Sequence, residues 1–352
     1  MNPSNGTLSN DQITDLSTLY QGSLSLSLIG SFSVLVVSIA RWRQLQKQWQ
    51  PLVQLALADL LAGVILMFTS SMNGTHMFFI HNVSICEHLL PLSLTFYFVS
   101  LLLVVVYAWE SHRAVEGWRE RPREEQCTRS WSVLSIYTFV WSTPWVMYFM
   151  FVITFFLTTA DIVSPSNNMS NIADASKYCT SCILFLHIWT DHCSDNEQVH
   201  DIFVRCFLFF ILTSVLVFCS VVYYKVGSWY RRYEEEGLFP VEGDARSRKR
   251  LKGVFITARN MILTIIFCWM PAMVLVVLSV IPNIPQEKLF PLYVLQAVTV
   301  SLQGFLNSMV YAWRRPNFRE AVLGETMPLL NHEGPMPFFD ESLRAPFGPS
   351  EL

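Results

Sequence analysis

The chain has 352 residues, 52% of them apolar and 14% aromatic, and only 14% are charged. Soluble domains carry about 25% charged residues, so a protein with a large water-exposed surface is excluded. A net charge of -3 and a pI near 6.2, with no basic domain emerging when the chain is divided, exclude nucleic acid as a partner.

Residues 1–18 are polar, rich in Ser, Thr and Asn and free of Lys and Arg. They match neither a signal peptide nor a transit peptide and read as a disordered extracellular tail. Seven apolar stretches follow, at about 19–40, 51–72, 86–109, 131–157, 201–225, 254–280 and 289–313, each close to the roughly 20 residues that a bilayer crossing needs. The expected fold is therefore an all-α membrane protein, a seven-transmembrane helix bundle over 19–315.

Basic residues set the orientation. Lys and Arg number three in 41–50, five in 110–130, eight in 225–252 and four after 313, whereas Lys177 and Lys288 stand alone on the other side. This positive-inside bias makes the N-terminus extracellular. Four N-glycosylation sequons, at Asn5, Asn73, Asn82 and Asn168, all fall on the side the charges make external. The protein is expected to be integral and multi-pass, in the plasma membrane or an endolysosomal membrane.

The second stretch sets Asp59 in the middle of its apolar run. A charge at that depth costs at least about 2.5 to 3.5 kcal/mol on insertion scales and is functional by default. It can also be a protonated or hydrogen-bonded packing device. Four cysteines, Cys86, Cys179, Cys182 and Cys193, lie in or beside external loops, where oxidation favours pairing and three connectivities are open. His187 and His192 beside Cys193 lack a regular ligand spacing, so zinc is not expected.

The inner loop ends in the basic run from Arg246 to Lys252, which is attracted to anionic membrane lipid. Residues 316–323 can form a short amphipathic helix along the inner surface, and 324–352, rich in Pro and Gly, read as a disordered cytoplasmic tail. Within that tail, Glu325 stands before the pair Leu329 and Leu330, the acidic dileucine spacing that a clathrin adaptor reads; patterns this short also arise by chance.

Motifs now fall in register along the spans. Gly30–Ser31–x–x–Val34, Leu57–Ala58–Asp59, Cys86 with Ser100 deeper in the third span, Trp141, Cys268–Trp269–Met270–Pro271, Asn307–Ser308–Met309–Val310–Tyr311 and Phe318 follow one another. In this order and spacing the chain resembles the rhodopsin-like (class A) G-protein-coupled receptors over about 20–323. The resemblance implies a short eighth helix at 316–323 and a water and sodium site where Asp59, Ser100, Gln303 and Asn307 converge, with no other cofactor. It makes Trp269, Pro271 and Tyr311 parts of a switch in the sixth and seventh spans, although a core Trp beside a static kink is the plainer alternative. It ties Cys86 to the long outer loop through Cys179 or Cys182, leaving Cys193.

The departures bear on coupling. Where the family has Asp-Arg-Tyr, this chain reads Glu110–Ser111–His112, with Arg113 two places late, and Leu251 replaces the facing acid. Ser93 stands where amine receptors keep an Asp and Ser301 where opsins keep the retinal Lys, so neither ligand class is indicated and the ligand stays unknown. The overall divergence resembles that of the orphan transmembrane protein 116 group.

Two functions follow as expectations. One is a receptor that passes an outer cue to a heterotrimeric G protein by movement of the sixth span. The other is a non-signalling seven-helix trafficking or scaffold protein. A membrane hydrolase would need several His and acidic ligands within the spans, and only Asp59 qualifies, so no enzyme is expected.

Overall fold

The computed structural model of the chain describes residues 8–40, 49–74, 83–116, 126–157, 183–184, 209–218, 220–221, 224–225, 227–228, 245–279, 284, 286–313 and 318. In chain order the helices are α1 (Asn10–Ala40), α2 (Trp49–Gly74), α3 (Val83–Glu116), α4 (Gln126–Leu157), α5 (Phe209–Phe218), α6 (Ala245–Ser279), α7 (Gln286–Ser301) and α8 (Gln303–Asn307). A π-helical turn, Ser308–Trp313, continues α8. Among the described residues there is no strand.

Five helical segments are long and apolar enough to cross a membrane: Asp11–Ala40, Leu52–Met72, His88–Tyr107, Ser135–Ile153 and Arg259–Leu278. The pair Glu287–Ser301 and Gln303–Val310, bent by 42°, makes a sixth if it is one span. The expectation of seven goes one further; its fifth stretch is represented among the described residues by the shorter apolar helix α5.

These helices show apolar side chains to both sides, as membrane helices do. On α1 the positions Leu26, Ile29, Phe32, Val36 and Ile39 form an exposed ridge, and on α6 Leu263, Phe267, Met270, Val274 and Val277 form another. No soluble surface would leave such ridges to water. The opposite faces carry the packing. α1 lies against α2 and the α7–α8 segment, α2 against α3, and α3 against both α4 and α6, while α6 completes the ring against α7. The largest fully buried side chains, Trp269, Tyr20, Tyr97 and Tyr293, fill the space enclosed, with Tyr97 edge-on to Trp269 at 5.8 Å.

Helix α4 is peripheral, with 17% of its span buried against 50% for α2, α3 and α6. It is fastened by Phe96 edge-on to Trp145 and by the Trp141 indole, which donates to Gln54 Oε1 of α2 at 3.3 Å.

The N-terminal tail needs correcting. Helix α1 begins at Asn10, and Ile13, Leu16 and Tyr20 are buried at helical spacing, so residues 10–18 are not disordered. The cause is local: Ser9 Oγ accepts the Gln12 N–H at 3.2 Å and the Gln12 side chain accepts the Ser9 N–H at 2.9 Å. This reciprocal capping box satisfies two orphan amides and starts the helix.

The α7–α8 break falls at Leu302, just before the residues that reach the bundle centre. Ser308, where the receptor motif has Pro, begins the π-helical turn, and its hydroxyl donates to the Gly304 carbonyl at 2.7 Å. A hydroxyl bonded back to the residue four earlier bends a helix, so the irregularity persists without proline. Phe318, inside the predicted amphipathic helix, is buried; the rest of 316–323 and the tail 324–352 lie outside the described residues.

Candidate functional site

Asp59 sits on α2 three turns from its start, in an apolar run of sequence, and is 2% exposed. Such a group survives in a membrane interior only if hydrogen bonds replace its lost hydration. The bend at Leu302 supplies them. It turns Gln303 and Asn307, one helical repeat apart on α8, toward α2 and α3, and both are buried.

Asn307 Nδ2 donates to Asp59 Oδ2 at 2.9 Å, and Gln303 Nε2 donates to Asp59 Oδ1 at 3.3 Å. Ser100 of α3 accepts from Gln303 Nε2 at 3.0 Å and, more weakly, from Asn307 Nδ2 at 3.4 Å. Each carboxylate oxygen thus meets one amide donor, and hydrogen bonds to a carboxylate contribute about 1.5 to 3 kcal/mol apiece.

Trp269 of α6 completes the network. Its indole Nε1 donates to Gln303 Oε1 at 2.6 Å. An indole N–H is a donor only, so the oxygen of Gln303 must face α6 and its nitrogen must face Asp59. The orientation of one amide therefore links α6 to α2 and α3. All four residues of the predicted cluster, Asp59, Ser100, Gln303 and Asn307, come together, and the Trp assigned to a separate steric switch is bonded to them. What sequence reasoning missed was this bond; the signal was that a buried Trp requires an acceptor and that Gln303 is the amide one repeat before Asn307.

A cation at this seat would take oxygen donors. The oxygens of Asp59 and Ser100 qualify, and so does Asn307 Oδ1, which is buried without a hydrogen-bond partner among the described residues. The Gln303 oxygen is committed to Trp269, which makes Gln303 a hydrogen-bond donor to the site rather than an oxygen ligand.

Close backbone approach shapes the floor of the network. A Cβ on Gly304 would collide with the Ser27 hydroxyl, stand 2.7 Å from the Ser31 hydroxyl and 3.2 Å from Asp59 Cβ. Only glycine lets α8 lie this near α1 and α2. Nearer the start of α1, the Tyr20 hydroxyl donates to Gln296 Oε1 of α7 at 3.1 Å, and the Ser70 hydroxyl to the Ser17 carbonyl at 3.0 Å. Ser93 is committed to the Ala62 carbonyl at 3.0 Å.

Pro271 lies within α6, two residues past Trp269, and is partly buried. Glu110, Ser111 and Arg113 are in the last turns of α3, Tyr311 is in the π-helical turn, Cys86 is in the first turn of α3 and Asn73 is in the last turn of α2; their side chains lie outside the described residues. So do Cys179, Cys182, Cys193, Asn5, Asn82, Asn168, Glu325, Leu329 and Leu330.

A bundle of apolar helices that expose apolar ridges and bury a carboxylate among amides and hydroxyls defines an integral, multi-pass α-helical membrane protein. The family model described as transmembrane protein 116 matches residues 23–329. The chain belongs to the transmembrane protein 116 family.

Proposed function

We propose that this membrane protein is a receptor-type conformational switch, a seven-span bundle with an extracellular N-terminus that converts an outer ligand or cue into movement of α6. One observation carries the reading: Trp269 of α6 and Asp59 of α2 are joined through the single amide of Gln303. A displacement of Trp269 takes the Gln303 amide with it. Asp59, Ser100 and Asn307 must then exchange partners, which disturbs α8 and the π-helical turn after it. Pro271 removes one backbone hydrogen bond from α6 and makes it pliable two residues from Trp269.

The inner partner on this reading is a heterotrimeric G protein. The constellation of sequence motifs supports it, as does the asymmetry of basic residues that puts the ends of α3 and α6 on the inner side. Sodium belongs to the same proposal, held by Asp59, Ser100 and Asn307; when bound it supplies a positive charge beside the carboxylate. The test is a panel of G-protein dissociation assays on the wild type and on Asp59→Asn. Constitutive dissociation that changes with the substitution supports a coupled switch, and silence across the panel contradicts it.

One observation favours a second reading, a non-signalling trafficking or scaffold protein of the same fold. Ser111 occupies the place of the Arg that engages a G protein in the receptors the sequence resembles. The acidic dileucine pattern at Glu325, Leu329 and Leu330 fits this reading through a clathrin adaptor and an endolysosomal location.

A further inference from the structure

Helix α6 holds six basic residues, Arg246, Arg248, Lys249, Arg250, Lys252 and Arg259, and no Asp or Glu over its 35 residues. Five of them fall within its first eight positions. Arg259 stands apart. Val254, Phe255 and Ile256 precede it, and the apolar stretch that begins at Met261 follows it. It is therefore a cation set inside the apolar part of the helix, and it is exposed.

The helical repeat shows which way it is exposed. Leu263, Phe267, Met270, Val274 and Val277 are all exposed and follow one another at steps of three and four, so they form a single stripe along α6. That stripe faces the bilayer. Arg259 comes four residues before Leu263 and continues it, while Met261, Ile262 and Ile265 turn into the core. Carried back two more turns, the same register reaches Lys252, and one turn beyond that Arg248. Arg248, Lys252 and Arg259 thus stand in one line about 16 Å long, which runs on into the ridge that meets the acyl chains.

Hydrocarbon cannot satisfy a guanidinium, and an Arg on a lipid-facing surface draws headgroups and phosphate toward itself. Its planar fork matches two oxygens of one phosphate. Lys252, about 10 Å along the axis, adds a second positive charge on the headgroup side, and no acid of α6 competes for either. We propose that the line Arg248–Lys252–Arg259 is a binding site for one anionic phospholipid. Arg259 takes the phosphate, Lys252 and Arg248 take the further negative charge of the headgroup, and an acyl chain lies along Leu263 and Phe267. A zwitterionic headgroup is disfavoured, because its own cation would face Lys252. The same helix carries Trp269, ten residues and about 15 Å further in, so a lipid held here loads the helix whose indole orients Gln303. The site is independent of the receptor reading, since it rests on where the charges stand along α6 and not on what α6 couples to.

The test is lipid retention by the full chain released from nanodiscs of phosphatidylcholine and phosphatidylserine in equal parts, read by native mass spectrometry. The wild type should keep phosphatidylserine in preference to phosphatidylcholine. Arg259→Gln should lower that preference about fivefold, as the loss of one basic residue at an anionic surface does, and Arg259→Lys, which keeps the charge, should retain most of it. The control is Arg121→Gln with Arg123→Gln, which removes two charges from the basic segment between α3 and α4 and should leave the preference unchanged. An Arg259→Gln protein with the wild-type preference overturns the proposal. So does an equal loss in the control, which would make the attraction a property of the whole basic surface. Lys252→Gln gives the same reading if Arg259→Gln does not fold.

Discussion

The Trp269 indole and the Gln303 side-chain oxygen lie 2.6 Å apart, and this contact decides what Asp59 meets. Because the indole cannot accept, the amide cannot turn over without losing a buried bond. The Gln303 nitrogen is therefore held against both Asp59 and Ser100.

Gln303→Ala removes the acceptor of Trp269 and one donor of Asp59 together. Each buried group left unpaired costs about 1 to 3 kcal/mol, so a lower thermal midpoint is expected in nanodiscs. Gln303→Glu keeps an acceptor for Trp269 but sets a second carboxylate beside Asp59, and it should lower the midpoint further than Gln303→Ala does. A Gln303→Glu protein as stable as the wild type would contradict the amide orientation.

Gly304→Ala places a methyl group against Ser27, Ser31 and Asp59. Overpacking of this kind costs about 1 to 3 kcal/mol. In a Ser27→Ala, Ser31→Ala background the colliding hydroxyls are gone, so the same substitution should cost less. Thermal unfolding of the four proteins checks this, and an equal cost in both backgrounds would place the strain elsewhere.

On the proposed sodium site, sodium should raise the thermal midpoint when it replaces potassium at constant ionic strength. Asp59→Ala is expected to abolish that rise. A sodium response that survives in Asp59→Ala removes the site.

Replacing Leu329 and Leu330 by Ala should move the protein toward the cell surface, as surface biotinylation would read. An unchanged distribution would end the sorting proposal.

How much of this was legible in the sequence depends on the kind of signal. Asp59 could be found because an acid in an apolar run is costly, and its partners Ser100, Gln303 and Asn307 because the resemblance to the rhodopsin-like receptors implies that they converge on it. The capping box of Ser9 and Gln12 was also written in the sequence, but it lay hidden in a polar stretch whose composition suggested disorder. The bend at Leu302 left no such mark. No Pro or Gly stands at that position, and Leu302 makes no side-chain cap there. The Trp269–Gln303 bond was missed because the indole was treated as bulk rather than as a donor.

The central claim is that Trp269 and Asp59 are coupled through Gln303, and a double-mutant cycle measures it most directly. The unfolding free energies of Trp269→Phe, Asp59→Asn and the double variant are compared in the wild-type and Gln303→Ala backgrounds. A coupling of about 1 kcal/mol or more in the wild-type background that vanishes with Gln303→Ala is the predicted result. Additivity within about 0.5 kcal/mol in the wild-type background, or a coupling that survives the loss of Gln303, would contradict the account.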